Sequence, residues 1–494
     1  MTGYIIGVDL GTTGTKVVLF APQEGIVAQA SRASALHSPQ PGFAEADPAQ
    51  WRDNVFTCIR EVIATAGVDP ADVSAVATSG MVPAVVVVDA NGEPLRPAIL
   101  QNDTRAAREI DEIREATASL DLVELTGSEV TQQSVSPTLL WLSRHKPETW
   151  ARVKRVYGSY DWILCQLGAD DHVEQNWAIE SGLFALDGAP LPAVAAAAHI
   201  DPAVIPAVAA PGTIVGTVSS RAAADTGLSP SARLVVGGAD HVLSAFAAGV
   251  DKPGDWLVKL GGAGDILVAN EQPVTDARLY LDAHPRPGTW LPNGCMATSG
   301  SLIRWFQTLI GGADLLALDD EAATRTPADV LCLPYFLGEK SPLHDPDLRG
   351  SFAGLHLGHT RADMYRSVLE SIAFGFRHHV EIFREIGVPL TAARVTNGGS
   401  KSTLWKQIHA DVLGTPLSPV IGHPGASLGA ALMGGLGTGA LDSWDAASAF
   451  TRYGEPVLPD PDRVRIYDEA YETWRDLGTA LTPISHRLTA RKGT

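Results

Sequence analysis

The segment IIGVDLGTTGTKVVLF, residues 5–20, places hydroxyl side chains in a glycine-rich turn between two apolar runs. Gly11 and Gly14 allow the backbone to turn tightly and to approach a ligand closely. Thr12 and Thr13 can offer hydroxyl and amide donors to phosphate oxygens. These residue types at this spacing predict a phosphate-binding turn.

Asp9 and Lys16 lie on either side of this turn. A P-loop requires a helix directly after its lysine, whereas Lys16 is followed by the β-rich run 17–20, so the turn is predicted to be the tip of a β-hairpin. Asp9 would repel a phosphate unless a cation lies between them. Mg²⁺ binds through one or two carboxylates, so Asp9 is the predicted metal-site residue. The alternative is a plain hairpin with a surface aspartate.

A second segment repeats this design later in the chain. VKLGGAGDILVAN, residues 258–270, aligns with residues 8–20 at an offset of 250 residues, with a leucine and two glycines in common. The repeat predicts a duplicated domain with a phosphate loop in each half, namely residues 1–249 and residues 250–494. Gly and Pro interrupt the pattern at 247–256, which is the predicted boundary. Chance similarity between short hairpins is the alternative.

LVVGGADHVLSAFAAG, residues 234–249, offers a candidate catalytic carboxylate. An apolar run ends at Gly237 and Gly238, and Asp240 then stands at the head of a helical pattern. Phosphoryl transfer needs a carboxylate that orients the acceptor hydroxyl and takes its proton. Asp240 is the predicted base, and a simple helix N-cap is the alternative.

A third glycine-rich element is VTNGGSKSTLWKQIHADVLGTPL, residues 395–417. A strand, the pair Gly398 and Gly399, and an amphipathic helix from about Ser402 form a layout in which an adenine and a ribose can lie against glycine backbone. An ordinary strand–turn–helix unit is the alternative.

Composition limits the class of protein. The chain has 494 residues, 45% hydrophobic, with a formal net charge of −19, and such an acidic chain is a poor partner for nucleic acid or anionic membranes. Four scattered cysteines without a CxxC pair argue against a zinc knuckle or a disulfide framework. We find no signal peptide and no apolar run of membrane-spanning length. A soluble cytoplasmic protein is therefore expected.

Strand and helix patterns alternate, which favours an α/β fold. Helical patterns are predicted at 103–116 and 138–150, and Asn91-Gly92 predicts a hairpin turn.

The segment GSFAGLHLGHTRADMYRSVLE, residues 350–370, resembles the second signature of the FGGY carbohydrate kinase family at every constrained position. GGAD and GGSKSTLWKQIHADVLGTPL are similar to that family in the same order. The resemblance extends from residue 4 to about residue 440 and is greatest to the xylulokinase branch.

This resemblance implies two ribonuclease-H-like domains of the actin, hexokinase and Hsp70 superfamily, with a nucleotide cleft between them. The N-terminal domain would bind sugar and supply the catalytic Asp240, and the C-terminal domain would bind adenine nucleotide. The implied cofactors are ATP and Mg²⁺, with Asp9 near the metal. The implied ATP-binding residues are Thr12, Thr13, Gly261, Gly262, Gly398 and Gly399.

The implied activity is ATP-dependent phosphorylation of a small sugar, most simply a pentulose such as D-xylulose. Asn102 and Asp103 fall in the stretch that contributes to the sugar pocket. Met81, Val82 and Pro83 stand where xylulokinases carry a Met-His pair, so a polar sugar contact is missing. Another ketose, a polyol or a sugar acid is therefore an alternative substrate.

Two further departures are Thr138, where the family usually has lysine, and Trp177, which is either a core residue or a side chain that narrows the pocket. Chaperone-like and phosphatase members of the superfamily are the remote alternatives. The expected partners are a sugar and ATP, with no nucleic acid and no membrane, and a homodimer is left open.

Overall fold

The structure is a computed structural model that describes residues 3–422 and 425–490. These residues form two compact units. The first unit contains residues 3–249, 281–290 and 425–450, and the second contains residues 250–280, 291–422 and 451–490. The first unit is thus discontinuous, unlike the continuous half predicted from the repeat. The assignment of sugar and nucleotide to separate halves stays a prediction.

The strands, in chain order, are β1 (Tyr4–Gly11), β2 (Gly14–Ala21), β3 (Gly25–Ala33), β4 (Glu45–Ala46), β5 (Val73–Gly80), β6 (Val86–Val88), β7 (Ala98–Ile99), β8 (Arg155–Tyr157), β9 (Val173–Glu174), β10 (Val208–Ala209), β11 (Ile214–Thr217), β12 (Arg233–Ala239), β13 (Asp255–Leu260), β14 (Gly264–Val268), β15 (Tyr280–Ala283), β16 (Trp290–Met296), β17 (Leu331–Leu333), β18 (Ser351–Ala353), β19 (Ala392–Thr396), β20 (Leu417–Ile421) and β21 (Arg452–Tyr453).

The α-helices are α1 (Pro48–Ala66), α2 (Ala107–Ala116), α3 (Leu122–Thr126), α4 (Val135–His145), α5 (Pro147–Trp150), α6 (Ser159–Leu167), α7 (Gln175–Glu180), α8 (Pro192–Ala197), α9 (Ser220–Thr226), α10 (Asp240–Ala247), α11 (Gly300–Leu309), α12 (Leu315–Ala323), α13 (Arg361–Glu385), α14 (Thr403–Leu413), α15 (Ala426–Thr438), α16 (Trp444–Ser448) and α17 (Pro461–Ala490). Short 3₁₀ turns occur at Pro70–Asp72, Pro202–Val204 and Gly398–Lys401. No helix within the described ranges has the length and apolar character needed to cross a membrane.

The main sheet of the first unit has the strand order β11-β12-β5-β1-β2-β3. The three strands β12, β5 and β1 are parallel, and β1 and β2 form the predicted antiparallel hairpin. Leu10 at the end of β1 is in register with Gly80, and Gly80 is in register with Ala239. The carboxyl ends of the parallel strands therefore meet at one edge, which brings together the chain after β1, β5 and β12.

Small residues let α15 lie directly on this sheet. A Cβ atom on Gly7 would come within 2.0 Å of the Ser427 carbonyl oxygen, and one on Gly429 within 2.3 Å of the Leu243 oxygen. Glycine at these positions permits backbone approach that no other residue allows. The core around α15 also includes Phe20 and Phe246, both almost fully buried.

The strands of the second unit's sheet follow the order β16-β14-β13-β19-β20-β21. Strand β13 pairs antiparallel with β14 and parallel with β19, which is the same relation that β1 has to β2 and β5. The repeated hairpin predicted from the glycine spacing is therefore present. Helix α13 packs across this core, and its buried Arg366–Glu370 ion pair is joined by the Tyr467 hydroxyl from α17.

Local boundaries differ from the sequence prediction where specific side chains intervene. The helix predicted at 103–116 begins at Ala107, since Asp103 and Thr104 donate backbone hydrogen bonds to preceding turns. The helix predicted at 138–150 is divided at Lys146, because the following Pro147 disfavours helical backbone before it. The turn at Gly92 is present, with φ of 77°, but β6 pairs mainly with β8.

Candidate active site

Asp240 lies at the carboxyl edge of the first sheet. The strand before it passes very close to β5, where a Cβ atom on Gly237 would be 2.0 Å from the Thr78 carbonyl oxygen. Ala239 occupies the N-cap position and Asp240 is the first helical residue of α10, so Asp240 is not the N-cap that the alternative interpretation required. The positive end of the helix dipole favours an ionised carboxylate at this position. About a third of the Asp240 side chain is exposed.

His241 is enclosed by three carboxyl groups. Its Nε2 atom lies 2.7 Å from an oxygen of Asp282 and 3.9 Å from an oxygen of Glu180, and its Nδ1 atom lies 3.5 Å from an oxygen of Asp240. Burial alone would lower the pKa of His241, but Asp282 and Asp240 outweigh it and hold that pKa well above its ordinary value. These contacts favour the imidazolium form of His241.

Glu180 closes this cluster from the end of α7. Burial raises the pKa of Glu180 well above its usual range, and the neighbouring Asp282 raises it further, while His241 opposes both. The cluster thus places three carboxyl groups, Asp240, Glu180 and Asp282, around one imidazole ring.

Asn176 fixes the segment that carries Asp282. Its side-chain amide donates to the Ala283 carbonyl oxygen at 2.9 Å, and its oxygen accepts from the Ala283 amide at 2.7 Å. Asn176 also donates to the buried Glu174, which accepts from the Tyr160 hydroxyl at 2.8 Å. Burial raises the pKa of Glu174 to about 7. A continuous buried polar network therefore supports the segment that holds Asp282 beside His241.

The first hairpin reaches the same edge of the sheet. Asp9 stands opposite Lys16 in the ladder between β1 and β2, and both side chains are half-buried. Thr12 accepts a hydrogen bond from the Gln101 side chain at 3.3 Å, while Thr13 is exposed at the tip. The predicted hairpin geometry is confirmed, and the phosphate contacts of its threonines stay a prediction.

The residues predicted for the sugar pocket occupy two loops of the first unit. Met81 and Val82 are almost fully buried after β5, where the Met81 carbonyl oxygen accepts from the Ser159 hydroxyl. Pro83 follows them and is also buried. These apolar side chains give this loop no polar group of their own, in keeping with the missing Met-His pair.

Asp103 is engaged within the protein. Its two carboxylate oxygens accept from the Ala44 amide and from the backbone and guanidinium of Arg105, at 2.6–2.9 Å. The Arg105 guanidinium lies 3.9 Å from the ring centre of Phe43. Asp103 therefore orders this loop, whereas Asn102 beside it is exposed. A sugar contact for either residue stays a prediction.

Trp177 belongs to the core of the first unit. Its side chain is fully buried, and its Nε1–H donates to the Ala84 carbonyl oxygen at 2.9 Å. The structure thus favours the core interpretation of this residue over a role in narrowing the pocket.

The predicted nucleotide residues of the second unit lie together. The tip of the second hairpin is fastened to the start of α11, because Gly300 donates to the Gly261 oxygen and Ser301 to the Gly262 oxygen. A Cβ atom on Gly261 would lie 3.4 Å from the Asn397 side chain, in the turn that leads to Gly398 and Gly399. Ser402 caps α14 at the predicted start of that helix.

The two glycines of this turn have different surroundings. A Cβ atom on Gly398 would meet no atom within 4 Å, whereas one on Gly399 would come within 2.1 Å of the Trp405 ring. Gly398 therefore leaves open space beside the backbone, where a ligand can approach, and Gly399 is required by packing.

Sequence reasoning missed Glu180, His241 and Asp282 as residues of the site. His241 directly follows Asp240, so its place in the sequence could have identified it as a residue of the site. Glu180 and Asp282 stand in segments without any recognisable pattern, and only the folded chain brings them to α10.

Comparisons with known proteins identify the family of the chain. Residues 4–247 match the N-terminal domain of the FGGY family of carbohydrate kinases, and residues 260–438 match its C-terminal domain. The chain is 28% identical over 476 residues to a xylulose kinase from Staphylococcus epidermidis, covering 95% of each protein. It is 27% identical over 476 residues to a gluconokinase from Bacillus subtilis, covering 91% of this chain and 90% of that protein.

A solved xylulose kinase from Rhodospirillum rubrum is 41% identical and superimposes with a TM-score of 0.90, covering 98% of this chain and 100% of that one. A solved gluconate kinase from Lactobacillus acidophilus, 22% identical with a TM-score of 0.90 over 97% of this chain and 98% of that one, shares the fold. The predicted two-domain α/β fold of the actin and hexokinase superfamily is confirmed. On the two domain matches and the 41% identity, the chain belongs to the FGGY family of carbohydrate kinases.

Proposed function

We propose that the protein transfers the γ-phosphoryl group of ATP to a hydroxyl of a pentulose such as D-xylulose, giving ADP and a sugar phosphate. The observation that carries the proposal is Asp240, a partly exposed carboxylate at the carboxyl edge of the first sheet with the cationic His241 beside it. The xylulose kinases among its relatives support the choice of sugar.

In this reaction Asp240 accepts a hydrogen bond from the attacking hydroxyl and takes its proton. The sugar oxygen forms a bond to the γ-phosphorus while the bond from that phosphorus to the β–γ bridging oxygen breaks. The transition state is loose, so orientation of the hydroxyl contributes more than strong basicity.

The described residues fit an ATP–Mg²⁺ complex. Asp9 offers carboxylate oxygens, which are the ligand type that Mg²⁺ prefers. We assign the phosphates to the two hairpin tips, at Thr12 and Thr13 and at Gly261 and Gly262, and the adenosine to the turn at Gly398, where the space beside the backbone is open. When bound, Mg²⁺ would offset negative charge on the phosphate oxygens.

The charge of the site favours a neutral sugar over a sugar acid. Three carboxyl groups, Asp240, Glu180 and Asp282, surround the single histidine of the cluster, His241. A substrate carboxylate would be repelled in such a site. The gluconokinases among its relatives make a sugar acid the second candidate.

The test is ADP formation measured with a panel of acceptors: D-xylulose, D-ribulose, xylitol, glycerol, D-gluconate and no sugar. We expect slow turnover without sugar and the highest kcat/KM with a pentulose. A higher kcat/KM with gluconate would contradict the substrate class, and a rate unchanged by every acceptor would indicate hydrolysis.

Asp240→Asn, measured in the same assay, tests the base. We expect kcat to fall at least about 100-fold with nucleotide affinity little changed, because the hydroxyl loses its proton acceptor. Asp225→Asn, a change at an exposed acid of the same unit, is the control and should keep wild-type turnover. Near-wild-type turnover of Asp240→Asn would overturn the assignment. The homodimer left open by the sequence stays a prediction.

A further inference from the structure

We propose that His241 is a positioning residue, an imidazolium that is held by Asp282 and in turn orients the carboxylate of Asp240 and keeps it ionised. This inference rests on the proposed role of Asp240 as the base. His241 itself is assigned no contact with the sugar or with ATP.

The two ring nitrogens of His241 face different carboxylates. The 2.7 Å separation of Nε2 from the Asp282 oxygen is that of a short, charge-assisted hydrogen bond. The opposite nitrogen, Nδ1, lies 3.5 Å from the Asp240 oxygen. A neutral imidazole with its proton on Nε2 would present a lone pair to Asp240, and protonation of both nitrogens replaces that repulsion with attraction.

Asp282 is well placed to anchor the ring. Only 2% of its side chain is exposed, and the next residue, Ala283, is fastened to Asn176 by two hydrogen bonds. Asn176 is in turn held by the buried Glu174. These hydrogen bonds therefore hold Asp282 in place. Through the His241 ring, Asp282 then sets the position of the Asp240 carboxylate.

The charged groups nearest the His241 ring are acidic. Glu180 faces the ring from α7, Asp282 from the segment 281–290 and Asp240 from α10 itself, with Glu174 behind them. Of the other elements packed against α10, β1 carries Asp9, β12 carries the exposed Arg233 at its opposite end, and β5 and α15 contain no charged residue. The segment 281–290 also packs the His284 ring against Phe246 of α10. These surroundings favour the protonated ring, in agreement with the raised pKa of His241.

A protonated His241 has a defined consequence for the reaction. It cannot accept the proton that Asp240 takes from the sugar, because both ring nitrogens already carry one. Its positive charge instead disfavours protonation of the adjacent carboxylate. The proton then leaves Asp240 for solvent, to which that side chain is partly exposed.

The test is the pH dependence of kcat in His241→Gln. Glutamine keeps a donor for Asp282 but removes the charge. We expect kcat to fall about 10-fold to 100-fold with little change in the KM for ATP, because the base loses its orientation. We also expect the acidic limb of the kcat profile to move upward by about one pH unit, because Asp240 loses the neighbouring cation.

His172→Gln is the matched control. His172 is also buried in the first unit, with Nε2 3.9 Å from the buried Asp161, and it belongs to no part of the proposed catalytic machinery. It should leave the acidic limb in place. If both variants lower activity without moving that limb, His241 is merely structural and the inference is wrong.

The double variant His241→Gln with Asp282→Asn guards against poor folding, because it removes the buried negative charge that the single change leaves without the positive charge of the ring beside it. The double variant should be more stable than His241→Gln, while the acidic limb of its kcat profile stays displaced from that of the wild type. An acidic limb at the wild-type pH would overturn the inference. Asp240→Asn separates the two proposals. If Asp240→Asn stays active, the assignment of Asp240 as the base is wrong. If Asp240→Asn is inactive but the pH profile of kcat in His241→Gln is not displaced, only the role of His241 is refuted.

Discussion

Trp177 gives a prediction at the scale of a single residue. Its indole fills the core of the first unit and donates to the Ala84 carbonyl oxygen at 2.9 Å. Trp177→Phe would leave that oxygen without its donor and a small cavity beside it. We expect the free energy of unfolding to fall by about 2 kcal/mol. Urea titration followed by circular dichroism measures the change.

Trp305→Phe is the control for this measurement. Trp305 is 41% exposed, and its ring is tilted by 54° against that of Phe336, with ring centres 4.5 Å apart. We expect an effect within about 0.5 kcal/mol, as for most surface changes. An equally small effect of Trp177→Phe, together with an altered KM for the sugar, would instead place Trp177 in the pocket.

Single residues of the site could be predicted from the sequence only where they stand beside a recognisable strand and glycine pattern. Asp9 stands near the end of a strand that leads into a glycine-rich turn, and Asp240 follows a strand that ends in a pair of glycines, so their types and positions indicated their chemistry. Glu180 and Asp282 are separated by about a hundred residues of chain and have no such context. Their relation to His241 depends on the hydrogen bonds of Asn176, which only the tertiary structure forms.

At the scale of elements, the two hairpins could be predicted because their turns require glycine. The pairs of charged residues that face each other across each hairpin could not be predicted. Asp9 opposes Lys16 in the first hairpin, whereas in the second Lys259 opposes Asp265, with a salt bridge of 3.1 Å. The second hairpin therefore has the same strand arrangement as the first, with a turn one residue longer and the order of the charges reversed. Its Lys259 stands where the first hairpin has Asp9, so we place the metal-site carboxylate at the first hairpin only.

The turn before α14 gives a prediction at this scale. Gly399→Ala would drive a Cβ atom to 2.1 Å from the Trp405 ring and to 2.7 Å from the Leu260 Cβ atom. Because the Trp405 indole donates to the Leu369 carbonyl oxygen, the ring cannot shift freely. We expect a loss of about 1–3 kcal/mol in the free energy of unfolding, measured by urea titration.

Gly398→Ala is the matched variant one residue earlier. Its added methyl group meets no protein atom within 4 Å, so we expect stability within about 0.5 kcal/mol of the wild type. The same methyl group would occupy the space proposed for adenosine, so the KM for ATP should rise. An unchanged KM in this variant would show that adenosine binds elsewhere.

At the scale of the whole molecule, the discontinuity of the first unit could not be predicted. Helix α15 is apolar on all sides and rich in glycine and alanine, which indicates burial but not the surface that buries it. Its place against β1 depends on Gly7, and its place against α10 depends on Gly429, where a Cβ atom would meet the Leu243 backbone. The missing side chains of these glycines matter only once the backbones are in contact. The repeated glycine-rich turns show where each domain begins in the sequence. They do not show which later segments of the chain pack back onto the first domain.

Each unit also contains a deeply buried glutamate whose raised pKa, near 7, links stability to pH. Burial raises the pKa of Glu174 in the first unit and of Glu339 in the second to about 7. Glu339 accepts from the Ala297 and Lys340 amides at 2.7 and 2.9 Å, which only partly offsets the burial. Because both pKa values are raised above the ordinary 4.5, the folded chain favours the protonated carboxyl groups.

The stabilisation from each protonated glutamate is complete below pH 4.5 and is lost as the pH rises through about 7. Each accounts for up to about 3 kcal/mol over this window.

Glu174→Gln and Glu339→Gln should therefore each make the free energy of unfolding less dependent on pH between 4.5 and 7, as measured by urea titration at several pH values. Glu148→Gln, at an exposed site, should reproduce the wild-type curve. A wild-type slope in both buried variants would mean that neither glutamate holds a proton in the folded chain, and the pH dependence would then have to come from other groups of this chain.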